Sequence, residues 1–381
     1  MVTAFAAFVL IGALQALYGP AIPGLREDFG LTPASAGLAL SAHFVGALLG
    51  VLVFSRWYAR VHSRLLLGAC YVAMAAGAAG FVLAGSWPVA LFFAFVGGVG
   101  FGGIDYGLNH MFAIGFGKRG TAMLNLLNAQ FGIGSIVAPA VIAWIGPRHY
   151  PVVFLVVAGL TALLLLGIGG VRERSAGSDE PASEAAADVA KKRSFGVLAA
   201  FVVFYVLNIG LESGVGGWEP THLEAVGYSL GTATTATAAY WLAMTLGRFA
   251  IVPVAARWPA SGIVIWSSAG VLVCAALSVI PALAPFTYFG VGLFIAPTFP
   301  TGLAWLHQLA PRDAQRAGAY VLAASMVGGV VFPPLLGMGI EVTSVVSVPI
   351  LLAVLGLACL ALVCWIKRAG GRDGDRTRRR D

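Results

Sequence analysis

Charge is scarce in this chain. Asp, Glu, Lys and Arg together supply 10% of its 381 residues, where a soluble domain carries about 25%. Hydrophobic residues supply 59%, so a water-exposed fold is excluded and an integral membrane protein remains. Cysteine is nearly as rare: Cys70, Cys274, Cys359 and Cys364 all fall in apolar runs. They lack metal-ligand spacing and loop partners, and read as small packing residues. There is no HExxH-like spacing and no GxxxxGK[ST] loop, which removes a metal site and nucleotide-driven work from consideration. Long polar segments are missing too. The stretch 172–194 cannot hold a soluble catalytic or output domain, and no nucleophile–base pair stands out, so neither an enzyme nor a sensor is expected. No cofactor is called for.

Apolar runs long enough to cross a bilayer are plentiful. Runs of about 20 apolar residues span as helices, and twelve are predicted, near 2–24, 33–55, 65–85, 88–116, 121–146, 150–171, 195–218, 231–255, 261–282, 285–307, 314–339 and 344–366. The first has no basic region before it and too long an apolar run for a signal peptide, so it reads as a membrane helix. Glycine is abundant, with 50 residues, as close helix packing in lipid requires.

Orientation follows from the basic residues. With both termini cytoplasmic, all Lys and Arg residues except Arg26 and Arg148 fall on the inner side, as the positive-inside rule demands. The net charge of +7 therefore belongs to a cytoplasmic face, and the basic tail 367–381 to lipid headgroups rather than nucleic acid. The cell (inner) membrane is the expected location.

Segment 172–194, small and polar, reads as a flexible cytoplasmic linker between a six-helix bundle at 1–171 and another at 195–366. The halves echo each other. FGIGSIVAPAV (131–141) sets Gly134 and Pro139 against Gly328 and Pro333 of SMVGGVVFPPL (325–335), and YGPAIPGL (18–25) resembles GGWEPTHL (216–223). Paired bundles with Gly/Pro-interrupted helices point to alternating access around a midplane site. The fold class expected is an all-α membrane protein with two pseudo-symmetric six-helix bundles.

Several stretches resemble the major facilitator superfamily across nearly the whole chain. GIDYGLNHMF and MLNLLNAQFGIGSIVAP resemble the fourth and fifth helices of its fucose permease branch. FYVLNIGLESGVGGWEPTHL resembles the seventh helix of sodium-dependent glucose transporter-like proteins. YWLAMTLGRFAIVP, GVGLFIAPTFPTGLAW and AGAYVLAASMVGGVVFPPLLG resemble the eighth, tenth and eleventh. Two departures stand out. The loop FSRWYARVHSRL has the superfamily's basic residues without its acid, and Gly19 stands where fucose permease has a first-helix acid. The resemblance implies secondary transport of a sugar-like solute.

Asp105 and Glu212 are the carboxylates expected well within spans. A charge at a helix centre costs about 2.5–3.5 kcal/mol on insertion scales, so such groups usually line a cavity or pair; these two are the candidates for ion coupling. Asp105 and Asn109 share a helix face, as do Asn125 and Asn128. Buried amides both donate and accept, which suits a polyol. With Gln15, Trp241 and Trp305 they form the expected binding set, the indoles offering flat faces to sugar C–H groups. Trp218 and Tyr240 lie in helices that would face the same cavity. His43 and His110 read as packing or hydrogen-bonding residues. Arg248, with Asp313, is the expected cytoplasmic gate.

The expected function is secondary active transport of a small polar solute, sugar-like, coupled to a proton or sodium gradient, by a monomer. An efflux antiporter for amphipathic compounds is the alternative. Solute, coupling cation and membrane lipid are the expected partners.

Overall fold

Lipid offers no partner to a free N–H or C=O, so each apolar run must satisfy its backbone internally, as a helix. The protein, a computed structural model describing residues 1–58, 60–116, 120–170, 191–255, 257–309 and 314–377, does so throughout. Its helices are α1 (Val2–Phe29), α2 (Pro33–Trp57), α3 (Ser63–Leu83), α4 (Trp87–Gly115), α5 (Gly120–Ile145), α6 (Tyr150–Leu163), α7 (Lys191–Ala225), α8 (Leu230–Ala255), α9 (Ala260–Leu277), α10 (Ala284–Ile295), α11 (Thr298–Leu309), α12 (Ala314–Val342) and α13 (Val348–Thr377). They make twelve spans long and apolar enough to cross a membrane. Asp313, linker residues 172–190 and tail residues 378–381 lie outside the described residues, as does the side chain of Asn125.

Two spans differ from expectation. The tenth is two helices, because Pro297 after Ile295 has no N–H to carry the ladder onward. The seventh runs on to Ala225 through Pro220. That places a third carboxylate, Glu219, inside a span that was expected to stop at residue 218.

Each half has its own core. Helices α1 to α6 bury one apolar cluster, and residues 200–366 bury another. A third cluster, largely from the second half, takes in Ala16, Ile22 and Ala36 of the first. The echo between halves has a physical counterpart. A Cβ on Gly134 would collide with the Val9 carbonyl, and one on Gly328 with the Val206 carbonyl. Matching glycines thus allow α5 onto α1 and α12 onto α7.

The halves meet through α2 and α12, α5 and α8, and α1 and α7, and a tight seam lies at the end where α1 finishes and α2 begins. A Cβ on Gly19 would collide with the Gly216 carbonyl of α7, and one on Gly37 would lie 2.7 Å from the Pro333 carbonyl of α12. Proline prepares this seam. Pro334 has no N–H for the Val330 carbonyl one turn back, and Pro220 has none for Gly216. Ser41 of α2 fills the first vacancy, donating to the Val330 carbonyl at 2.5 Å. The second is the carbonyl that Gly19 approaches. The Trp218 indole of α7 donates to the Pro333 carbonyl at 3.0 Å and holds the kinked α12 in place.

Candidate functional site

Helical spacing sets Asp105 and Asn109 one turn apart on α4, and the structure bonds them. The Asn109 amide donates to Asp105 Oδ1 at 2.9 Å and to the Asp105 carbonyl at 3.0 Å. Asn128 of α5 extends the chain, donating to Asn109 Oδ1 at 2.8 Å and to the Leu124 carbonyl at 2.9 Å. Asp105 and Asn109 are half-buried, and Asn128 is exposed. Three expected site residues therefore form one polar track that runs outward toward the end of the molecule away from the seam. Gln130 is turned to the Leu126 carbonyl at 3.2 Å, and Gln15 of α1 is half-buried.

The second half carries its own track on α7. Asn208, Glu212, Glu219 and His222 fall within one face of that helix at 100° per residue. Asn208 is buried and accepts a hydrogen bond from Thr298 at 2.9 Å. Glu212 is half-buried, and its backbone carbonyl accepts from the Tyr240 hydroxyl of α8 at 3.4 Å. Arg248 of α8 acts electrostatically on Glu212 and Tyr240, while its Nη2 rests 3.6 Å from Met244 Sδ. Arg248 thus faces the α7 acid, and its expected partner Asp313 lies outside the described residues. Glu219 is fully buried, with no hydrogen-bond partner on either carboxyl oxygen. His222 is buried beside it, its Nδ1 3.0 Å from the Tyr288 hydroxyl of α10.

Asn208, Glu219 and His222 were missed in the sequence. Their signal was the helical period of polar residues through an apolar span; Glu219 and His222 were hidden once the span was ended at residue 218, while Asn208 lay within it.

The tryptophans separate. Trp241 is buried where the halves touch, its ring 6.4 Å from Phe131 of α5, with its indole nitrogen unpartnered. Trp305 packs on Phe201 at 5.3 Å, in a cluster with Val264, Leu306 and Val363 that lies wholly within the second half. His43 is buried, its Nδ1 3.3 Å from the Tyr18 hydroxyl, and His110 stacks on Tyr106 and meets Tyr58 edge to face. Among the described residues no group of three His, Cys, Asp or Glu is placed to hold a metal ion.

The arrangement offers two lines of carboxyl, amide and hydroxyl groups, one per half. Such a pairing can bind a hydroxylated solute and move protons.

The family model of the Major Facilitator Superfamily matches residues 4–291. Sodium-dependent glucose transporter 1A of Mus musculus is 21% identical over 377 residues, 88% of each chain. The crystal structure of a mutant of the nucleoside transporter NupG superposes with a TM-score of 0.79 at 14% identity, covering 96% of this chain and 98% of that one. A D-xylose-proton symporter does so at 0.76 and 13% identity, covering 95% and 96%.

Proposed function

Because the chain belongs to the Major Facilitator Superfamily and is a multi-pass membrane transporter rather than an enzyme, we propose that it moves a small polar solute, sugar-like in its hydroxyl pattern, by coupling it to the downhill flow of protons. The observation that carries this reading is the hydrogen-bonded track Asp105–Asn109–Asn128, whose inner members are half-buried and whose last member is exposed. Amides that donate and accept suit alternating hydroxyls, and a carboxyl among them can take a proton as solute arrives. Glucose, D-xylose and nucleosides, the solutes for which the relatives are named, share a polyol moiety.

The basic residues set the seam end outside and both termini in the cytoplasm. The seam is then the closed outer gate, and the Asp105 track lies open to the inside. Alternation consists of the two bundles rocking so that the seam parts while the cytoplasmic ends close. Glu212 and Arg248 face the solute path from the second half, with Trp241 beside them. Residues 1–171 and 195–366 are the moving units, joined by the linker 172–194. The protein works as a monomer in the cell (inner) membrane.

Reconstitution in liposomes tests this. With an imposed inward proton gradient, a labelled monosaccharide or nucleoside accumulates, and a protonophore abolishes the accumulation. Accumulation driven by sodium alone at symmetric pH refutes proton coupling. Efflux of amphipathic dyes with no uptake of sugars or nucleosides refutes the solute class.

A further inference from the structure

Tyr18 and His43 have no part in the function proposed above, yet they set two polar groups deep among aromatic rings. The Tyr18 hydroxyl of α1 and His43 Nδ1 of α2 share a hydrogen bond at 3.3 Å, and both residues are buried. Phe81 of α3 and Phe154 of α6 meet the Tyr18 ring edge to face, at 5.3 and 5.7 Å. Phe101 of α4 meets the imidazole at 4.8 Å, and His43 Nε2 has no partner. Burying a hydroxyl and an imidazole costs free energy that apolar side chains of the same shape do not incur. Filling this part of the core therefore does not call for the pair.

Its position does. Tyr18 immediately precedes Gly19, where α1 meets the Gly216 carbonyl of α7. His43 lies between Ser41, which donates to the Val330 carbonyl of α12, and Phe44, whose ring a Cβ on Gly329 of α12 would strike. Gly37, Ser41 and Phe44 recur at helical spacing and turn one face of α2 to α12, while His43 points from another face into the first half, toward Tyr18. The seam thus has two contacts, α1 on α7 and α2 on α12, and the Tyr18–His43 pair stands behind both.

Behind those contacts the two halves are held differently. In the second half α7 and α12 pack on each other from Val206 to Trp218, with Gly328 on the Val206 carbonyl, Gly210 on Phe332, and Trp218 bonded to the Pro333 carbonyl. In the first half α1 packs chiefly on α5 and α2 on α4, and α1 and α2 touch each other little. The Tyr18–His43 bond joins these two helices directly, and the aromatic, low-dielectric surroundings strengthen it.

We propose that Tyr18 and His43 are positioning residues that yoke α1 to α2, so that both contacts of the seam part and re-form in one step. Without the yoke, α1 leaves α7 while α2 stays on α12, and the seam opens on one side only. The inference rests on the transporter reading, in which the bundles rock apart at the seam, and adds to it a link within the first half.

The test needs no solute. Spin labels on Glu27→Cys and Ala225→Cys, both at exposed positions, follow α1 against α7. Labels on Leu38→Cys and Val342→Cys, at positions 40% and 87% exposed, follow α2 against α12. Cys70, Cys274, Cys359 and Cys364 are replaced by alanine, and the distances are measured in liposomes. Gly19→Val wedges the first contact and Gly37→Val the second. In the parent either wedge should lengthen both distances, with equal open-to-closed ratios. In Tyr18→Phe the wedged contact should still open, and the other should lag by about threefold to tenfold, the worth of one hydrogen bond. His43→Gln keeps a partner for the Tyr18 hydroxyl and should behave as the parent, whereas His43→Leu should behave as Tyr18→Phe. A bond that served packing alone would lower the unfolding midpoint of Tyr18→Phe and leave the two distances in step, which overturns the proposal. So does a second contact that stays shut in the parent when the first is wedged open. If neither wedge lengthens either distance, the bundles do not rock at the seam, and the transport mechanism falls together with the yoke.

Discussion

Glu341 of α12 accepts a hydrogen bond from the Ala34 amide of α2 at 2.8 Å, so a carboxylate from one half caps the first turn of a helix in the other. The N-terminus of α2 has free N–H groups and the positive end of the helix dipole, both of which favour an anion. Arg26 of α1 interacts with the same carboxylate. The contact is a latch across the seam. Glu341→Gln keeps an acceptor oxygen and loses the charge, so the seam-open population should rise severalfold in the spin-label distances. High salt should reproduce part of that rise in the parent and none in the variant, since exposed charges are screened within about 3 Å at 1 M.

Glycines at the seam and glycines inside a bundle should fail differently. Gly19 meets the Gly216 carbonyl across the halves, while Gly134 meets the Val9 carbonyl within one half. Gly19→Val blocks a contact that the open state does not need. It should leave thermal stability near that of the parent while holding the seam open, measured as faster alkylation of Ser41→Cys. Gly134→Val forces overpacking in every state, at a cost of about 1–3 kcal/mol, and should lower the unfolding midpoint without changing Ser41→Cys reactivity. Equal effects of the two on both measurements would show that the seam is not a moving contact.

Much of the fold could be read before any coordinates, because membrane spans depend on length and hydropathy alone. All twelve were visible, and the pairing of Gly134 with Gly328 already held the symmetry that brings α5 onto α1 and α12 onto α7. The failures came where a local rule met tertiary context. The seventh span was expected to stop at residue 218, yet α7 runs on through Pro220 to Ala225, and the Gly216 carbonyl that Pro220 cannot bond lies against Gly19 of α1. Glu219 was lost with that helix end. The link from Asp105 to Asn109 was legible in their spacing. The bond from Asn109 to Asn128 was not, since it depends on how α5 is turned against α4. Trp305 offered no sequence sign that its ring would pack on Phe201 instead of standing near Trp241.

Asp105 should matter through its charge and Asn128 through its hydrogen bond. Asp105→Asn preserves the shape of the track and its bond with Asn109, but cannot release a proton. It should retain solute exchange across liposomes while losing about tenfold or more of gradient-driven accumulation. Asn128→Ala removes the donor to Asn109 and frees that oxygen to water at an exposed position. One such bond is worth about 0.5–1.5 kcal/mol, so KM should rise a few fold with accumulation intact. Gradient-driven accumulation by Asp105→Asn at the parent level would remove Asp105 from coupling and leave it as a packing residue.

Glu212 and Arg248 can be tested as a coupled pair. They act on each other across α7 and α8, both act on Tyr240, and both side chains are half-buried. Glu212→Gln leaves Arg248 without its nearest acid, and Arg248→Gln leaves Glu212 without its cation, so each single change strands a charge in a poorly hydrated place. The double variant strands neither. If the pair acts as a unit, transport by the double variant should exceed that of the worse single variant, with a coupling of about 1 kcal/mol in the cycle. Arg248→Lys keeps the charge but not the planar fork, and should fall between the parent and Arg248→Gln. Additive losses would mean that the two residues serve separate steps. Arg248 would then belong to the cytoplasmic gate alone, and Glu212 to solute contact.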